Sequence, residues 1–233
     1  MKHLQEITAL MKQHASVEYY QSSQRFFKQT AKMHGVKVPL ARQIAHEYYK
    51  KLSDLNDDEV LSLCTQLFQT GFMEEQIGAV YFAATRFKKL DKEKTLALLG
   101  WLNYVENWAS CDNFCPLLLG RAVEQGFLTK ETLFGLAGDS SQWKRRAAIV
   151  SLLKLVKKPF FHELILEVLE KLCNDSEDYV RKANGWLLRE LWKANPKAAE
   201  KFLLTHKGLP RVTLRYAIEK MDKGKKKEFM ERG

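Results

Sequence analysis

AVYFAATRF (79–87), AAIVSLLKL (147–155), ANGWLLREL (183–191) and AIEKM (217–221) each begin on alanine and run on as an apolar stripe at helical spacing. Ala147, Ala183 and Ala217 are 36 and 34 residues apart, and Ala79 lies 68 residues before Ala147, which leaves room for a unit starting near Asn113. That period suits a helix–turn–helix unit stacked on its neighbours. A small residue at the head of each stripe lets adjacent helices approach closely. These segments predict an all-α, helical-repeat solenoid (an α–α superhelix), in one domain over residues 1–233.

The stretches between them read the same way. With 5 prolines and 12 glycines in 233 residues, the chain is too poor in turn-formers for an all-β fold. His34-Gly35 reads as a helix end and Pro39 as the start of the next. Asp57-Asp58-Glu59 puts acid where a helix dipole favours it. Gly71, Gly100, Gly126 and Gly138 read as stops, Ser140 or Ser141 as the cap of the helix holding WKRRAAIVSLLKL, and Lys157-Lys158-Pro159 and Asn195-Pro196 as ends followed by proline starts. About a dozen helices with short connections follow.

Composition limits the function. The chain is 45% hydrophobic and 28% charged, enough apolar matter for a core. Its net charge is +10, unevenly placed: residues 1–116 hold 14 basic and 13 acidic side chains, residues 117–233 hold 24 and 15. The skew points to a polyanion gripped by the second half. Cys64, Cys111, Cys115 and Cys173 form no CxxC pair and have no histidine to complete a metal set, so they read as buried thiols. Apolar stretches are short and interrupted by charge, and no secretory leader is evident; the expectation is a reduced, cytoplasmic protein. The tail KKKEFMERG (225–233) reads as solvated.

The repeat register also places chemistry. The residues just before the repeat starts are Asp112, Arg146 and Lys182, with Tyr216 beside Arg215 in the last unit. Equivalent positions in stacked repeats form a ladder along one face, so an acid and then bases share a row on a concave basic face that a phosphate backbone can follow. Trp108 is one helical turn before Asp112, Trp186 one turn after Lys182, and Arg189 follows on the same stripe.

Four segments in order resemble one family. ENWASCDNFCPLLLG (106–120), WKRRAAIVSLL (143–153), VRKANGWLLRELWKANP (180–196) and HGVKVPLARQ (34–43) are similar to motifs of the AlkD-type alkylpurine DNA glycosylases. The resemblance implies a HEAT-like solenoid holding duplex DNA. It implies excision of cationic purines such as 3-methyladenine and 7-methylguanine, without a base-flipping pocket. Asp112 would be the catalytic acid group, Trp108 and Trp186 the aromatic pair, and Arg146 the phosphate-gripping arginine; beside these, the basic row itself gives Lys182, Arg189 and Arg145 as further expected DNA contacts. Asn107 stands where an additional tryptophan can occur, and Cys111 precedes the acid.

The chemistry fits these residue types. A purine alkylated at N3 or N7 is already cationic and leaves without a general acid. What develops is positive charge on the deoxyribose, as in glycoside hydrolysis. A carboxylate and electron-rich indole faces stabilise such a cation. No lysine is committed as a nucleophile. The expectation is therefore a monomeric, monofunctional glycosylase working on duplex DNA without cofactor, metal or membrane. Its rivals are a DNA- or RNA-binding solenoid without chemistry and a protein-binding repeat scaffold.

Overall fold

A computed structural model describes residues 2–232. Among them the secondary structure is entirely helical. By its internal contacts the chain forms two compact units, Met1–Ala122 and Val123–Gly233.

The first unit contains α1 (Lys2–Gln13), α2 (Val17–Gln24), α3 (Val38–Tyr49), α4 (Asp57–Gln69), α5 (Met73–Arg86), α6 (Lys92–Trp101) and α7 (Trp108–Phe114). Local chemistry sets their ends. Asn56 and Glu59 form a reciprocal capping box that starts α4, and the Asp57-Asp58-Glu59 run fills its first turn as expected. Pro39 lies in the first turn of α3. α5 is the central element, packing against α3, α4 and α7. Two expected stops fall differently. Gly100 lies inside α6, which tightens into a 3-10 turn at Leu102–Tyr104. His34-Gly35 ends no helix but sits in the irregular segment 25–37.

That segment is held by a buried polar cluster. Glu74 is fully buried, and its carboxylate accepts from the backbone N–H groups of His34, Gly35 and Val36, each at 2.9 Å. Gly35 sits at φ +92°, and a Cβ there would lie 2.7 Å from the Ser16 carbonyl oxygen, so only glycine makes this turn. Glu75, also fully buried, takes hydrogen bonds from His34 Nε2 at 2.7 Å and Thr8 Oγ1 at 2.9 Å. Burial alone would raise its carboxyl pKa. The hydrogen bonds from His34, Thr70 and Thr8, with the His34 charge, bring it below the ordinary carboxylate range.

After α8 (Gly120–Glu124), the second unit contains α9 (Lys130–Ala137) packed on α10 (Gln142–Val150), α11 (His162–Leu172) and α13 (Pro196–Thr205) each packed on α12 (Asp178–Ala194), and then α14 (Arg211–Ala217) and α15 (Lys223–Arg232). α10 packs on α12, and α12 on α14, so the repeat-bearing helices are successive neighbours. The alanines that mark the period, Ala147, Ala183 and Ala217, are all buried there, and Ala79 is buried in α5. Gly185 makes the closest approach: a Cβ on it would lie 2.3 Å from the Thr213 carbonyl oxygen and 2.5 Å from Tyr216 Cβ.

Asn195 caps α13 by accepting from Ala198 N–H at 3.2 Å, with Pro196 in its first turn, as the sequence suggests. At α10 the expected serine cap differs. Ser141 occupies the N-cap without a side-chain cap bond, and Asp139 Oδ1 instead accepts from Ser141 N–H at 2.8 Å. α10 also stops short of the WKRRAAIVSLLKL run: Ser151 Oγ bonds back to the Ala147 carbonyl at 2.6 Å, and the chain turns. The tail is not simply solvated. Most of it lies in α15, where Phe229 is buried and Lys225 pairs with Glu200. Gly233, its last residue, lies outside the described residues.

Candidate functional site

In the first unit, α7 carries the predicted acid and its indole. Asn107 is buried as the N-cap, its Oδ1 accepting from Ser110 N–H at 2.8 Å. Ser110, Cys111, Phe114 and Cys115 face the core, while Trp108, Asp112 and Asn113 lie half-buried on the other side of the same short helix. Cys111 and Cys115 are fully buried with their sulfurs 3.7 Å apart. Pro116 has no N–H to give the Asp112 carbonyl four residues earlier, and the helix widens to π over Cys115–Leu119. Asp112 thus stands between a capped helix start and a proline-driven widening.

Trp108 is held in place from a distance in sequence. Its Nε1–H donates to the Phe26 carbonyl at 3.2 Å. Phe27 stacks on its ring, with centroids 5.4 Å apart and planes 21° apart. Beside Asp112, Asn113 Oδ1 accepts from Arg42 Nη2 at 3.0 Å, which brings the arginine of the HGVKVPLARQ segment to this helix.

In the second unit, Arg145 and Arg146 lie on α10, and Lys182, Trp186 and Arg189 on α12. Arg145 grips Asp175 with Nε at 2.6 Å and Nη2 at 3.3 Å, and gives Nη1 to the Asp139 and Ser140 carbonyls at 2.9 and 2.8 Å. Arg146 is only 5% exposed, and its Nη1 donates to the Tyr179 carbonyl. Lys182 pairs with Asp178 at 2.8 Å, which raises its pKa through that hydrogen bond, and its ammonium lies 5.9 Å from the Tyr179 ring centroid. Arg189 pairs with Glu190 at 3.1 Å and with Glu219. Trp186 is half-buried, and its indole makes neither a hydrogen bond nor a ring contact among the described residues.

A family model described as DNA alkylation repair enzyme matches residues 7–221. The chain belongs to this family. A structure described as a predicted DNA alkylation repair enzyme from Enterococcus faecalis shares its fold with a TM-score of 0.78 at 20% identity, over 90% of this chain and 98% of that one. AlkD2 from Streptococcus mutans gives 0.60 at 19% identity, over 94% and 99%. The smu.31 protein of Streptococcus mutans UA159 gives 0.56 at 21% identity, over 91% and 100%. At these identities the likeness is one of fold. No curated protein matches the chain.

For this member of the DNA alkylation repair family, the structure brings Trp108 and Asp112 together on one helix face, and the basic candidates with Trp186 onto two packed helices of the second unit. Four supporting residues were not legible as such. Asn107, expected as a departure from the family pattern, is the cap of the acid's helix. Cys111, the other departure, faces the core. The Phe26-Phe27 pair that fixes Trp108 lies 82 residues from it; its only sequence signal is two aromatics between Arg25 and Lys28 in a stretch without helical periodicity.

Proposed function

We propose that this protein is a monofunctional DNA glycosylase that hydrolyses the N-glycosidic bond of cationic N3- or N7-alkylated purines in duplex DNA. The observation that carries the reading is the half-exposed pairing of Trp108 and Asp112, one turn apart on α7. Family membership supplies the substrate class, alkylated DNA.

The C1′–N bond breaks with its electron pair going to the base, which neutralises the ring charge. The deoxyribose becomes an oxocarbenium-like cation. Asp112 stabilises that charge and orients a water whose oxygen bonds C1′ and whose proton is lost to the carboxylate or to solvent. Trp108 offers an electron-rich face to the sugar, held at a fixed tilt by the Phe26 carbonyl and the Phe27 ring. Trp186 is the second aromatic contact. Arg146, braced on the Tyr179 carbonyl, is the phosphate-gripping arginine. Lys182 and Arg189 are further backbone contacts. The product is an abasic site in an unbroken strand.

The test is release of 7-methylguanine from duplex DNA by the wild type and by Asp112→Asn, with duplex binding measured in parallel. The expected loss in rate is about 10²–10³-fold with binding retained. A variant that works at the wild-type rate removes Asp112 from the chemistry. Binding without release by the wild type itself leaves a DNA-binding solenoid, and neither activity leaves a protein scaffold.

A further inference from the structure

The loop that orients Trp108 carries a feature that α7 does not use. Gln24 closes the loop across its base: its Nε2 donates to the Ala31 carbonyl at 3.0 Å, and its Oε1 accepts from Ala31 N–H at 2.9 Å. Phe26 N–H bonds to the Ser23 carbonyl at 3.0 Å and Phe27 N–H to the Gln24 carbonyl at 2.9 Å, so the first turn of the loop is fixed as well. Phe27 points inward onto Trp108. Phe26 points away and is 61% exposed, with the Arg25 guanidinium carbon 5.0 Å from its ring centroid. Arg25, Lys28, Gln29 and Thr30 are all exposed around it.

An exposed phenylalanine on a mobile tip is an ordinary surface feature. This one sits on a loop closed by a two-point clamp, and its own backbone carbonyl holds the indole proposed to touch the reacting sugar. Its backbone is therefore fixed relative to Trp108 within one residue of chain, and the exposed ring projects from that fixed point. Cations stand on either side of it in sequence, which matches a strand whose phosphates flank each base. Removing a base opens a gap in the stack, and a planar apolar ring carried beside the reacting sugar is shaped to fill it.

We infer that the clamped loop 25–30 is a DNA-contacting element whose Phe26 ring stacks against the nucleotide bordering the excised base, with Arg25 and Lys28 on the adjoining phosphates. The inference rests on the glycosylase reading for which sugar Trp108 faces, but it is tested by binding alone. The ligand class is a duplex with a base missing or unstacked, not single-stranded nucleic acid and not a protein.

The experiment compares affinity for a duplex containing a tetrahydrofuran abasic analogue with affinity for the matched intact duplex, using wild type and Phe26→Ala, Phe26→Leu and Phe26→Trp. One aromatic–base stack lost predicts that Ala and Leu bind the abasic duplex about tenfold more weakly. The intact duplex should change less than twofold, and Trp should restore wild-type affinity. Thermal midpoints of all four should coincide, since Phe26 supports no core. Ala and Leu variants that bind the abasic duplex like wild type overturn the inference. Leu matching wild type while Ala fails overturns stacking, because bulk alone then suffices. A wild type that binds neither duplex overturns it too. A wild type that binds the abasic duplex in a Phe26-dependent way but releases no 7-methylguanine sinks the glycosylase reading and leaves the loop's role standing.

Discussion

Gly185→Ala should destabilise the second unit, although alanine is the better helix former. In an exposed helix the exchange gains about 1 kcal/mol. Here the added Cβ would stand 2.3 Å from a backbone carbonyl oxygen and 2.5 Å from Tyr216 Cβ, where ordinary contacts begin at 3.4 Å. Neither atom is the end of a flexible side chain, so α14 must retreat by about 1 Å as a body. Overpacking against rigid atoms costs about 3 kcal/mol, the top of its usual range. Retreat also stretches the bond from Thr213 Oγ1 to the Arg181 carbonyl, now 3.1 Å, worth about 1 kcal/mol. The net loss is about 2–3 kcal/mol, a fall of about 5–10 °C in Tm for a chain of this length. Urea titration and calorimetry with far-UV detection give the number. A midpoint at or above wild type would show that α12 and α14 are not in the contact described.

Four further outcomes are expected. Asn107→Ala removes the α7 cap and should cost about 1 kcal/mol by urea titration; since α7 carries Trp108 and Asp112, base release should drop more than stability alone explains. Glu75 has a folded pKa below its ordinary value of 4.5, so its contribution to stability is present above that value and fades as pH falls through the folded pKa. Acid titration of unfolding should therefore steepen below about pH 4.5, and Glu75→Gln should flatten that arm; identical profiles would remove the His34–Glu75 pair as the cause. Arg146→Ala should weaken duplex binding and lower the slope of log affinity against log salt by about one contact, with a loss of Tm from the vacated Tyr179 carbonyl reported separately. Uracil and hypoxanthine, as neutral leaving groups, should be released far more slowly than 7-methylguanine in the same duplex, and efficient uracil release would contradict the charge argument.

What could be read in the sequence was what repeats or what acts locally. Ala147, Ala183 and Ala217 were legible because close helix packing needs a small side chain at the same place in each unit, and the same need recurs at a fixed period. The Asn195-Pro196 start was legible because a cap is made within four residues. Glu74, Glu75 and Gln76 were not, because three consecutive polar residues default to a solvated helix start. The groups that bond the Glu74 and Glu75 carboxylates, on His34, Gly35 and Val36, lie about 40 residues away, so only the tertiary fold shows that these side chains are buried. Trp108 and Asp112 could be placed on one face by spacing. That a proline one turn later widens the helix could be anticipated only from Pro116's missing N–H, and that Phe26 and Phe27 come to the indole could not be anticipated at all.

The basic residues divide into two kinds, which sharpens the charge argument. A surplus of cations in the second half suggests a phosphate track, yet every candidate arginine and lysine there already has an internal partner. Arg145 donates to Asp175 through two nitrogens and to two backbone carbonyls through a third, and both side chains of its ion pair are largely buried. Breaking that set to reach a phosphate would strand Asp175, a cost of several kcal/mol that one phosphate contact does not return. Arg189 and Lys182 are different. Glu219 and Asp178 are more exposed partners, and surface pairs of that sort are worth about 0–1 kcal/mol. A phosphate can replace either carboxylate at little cost and adds counterion release. Loss of Arg145 should therefore show first as loss of stability, and loss of Lys182 or Arg189 first as loss of DNA affinity. Lys182→Gln and Arg145→Gln, each measured for Tm and for duplex binding, give opposite patterns if this division holds. A Lys182→Gln protein that binds normally but melts early would mean that its bond to Asp178 serves the fold instead of the ligand.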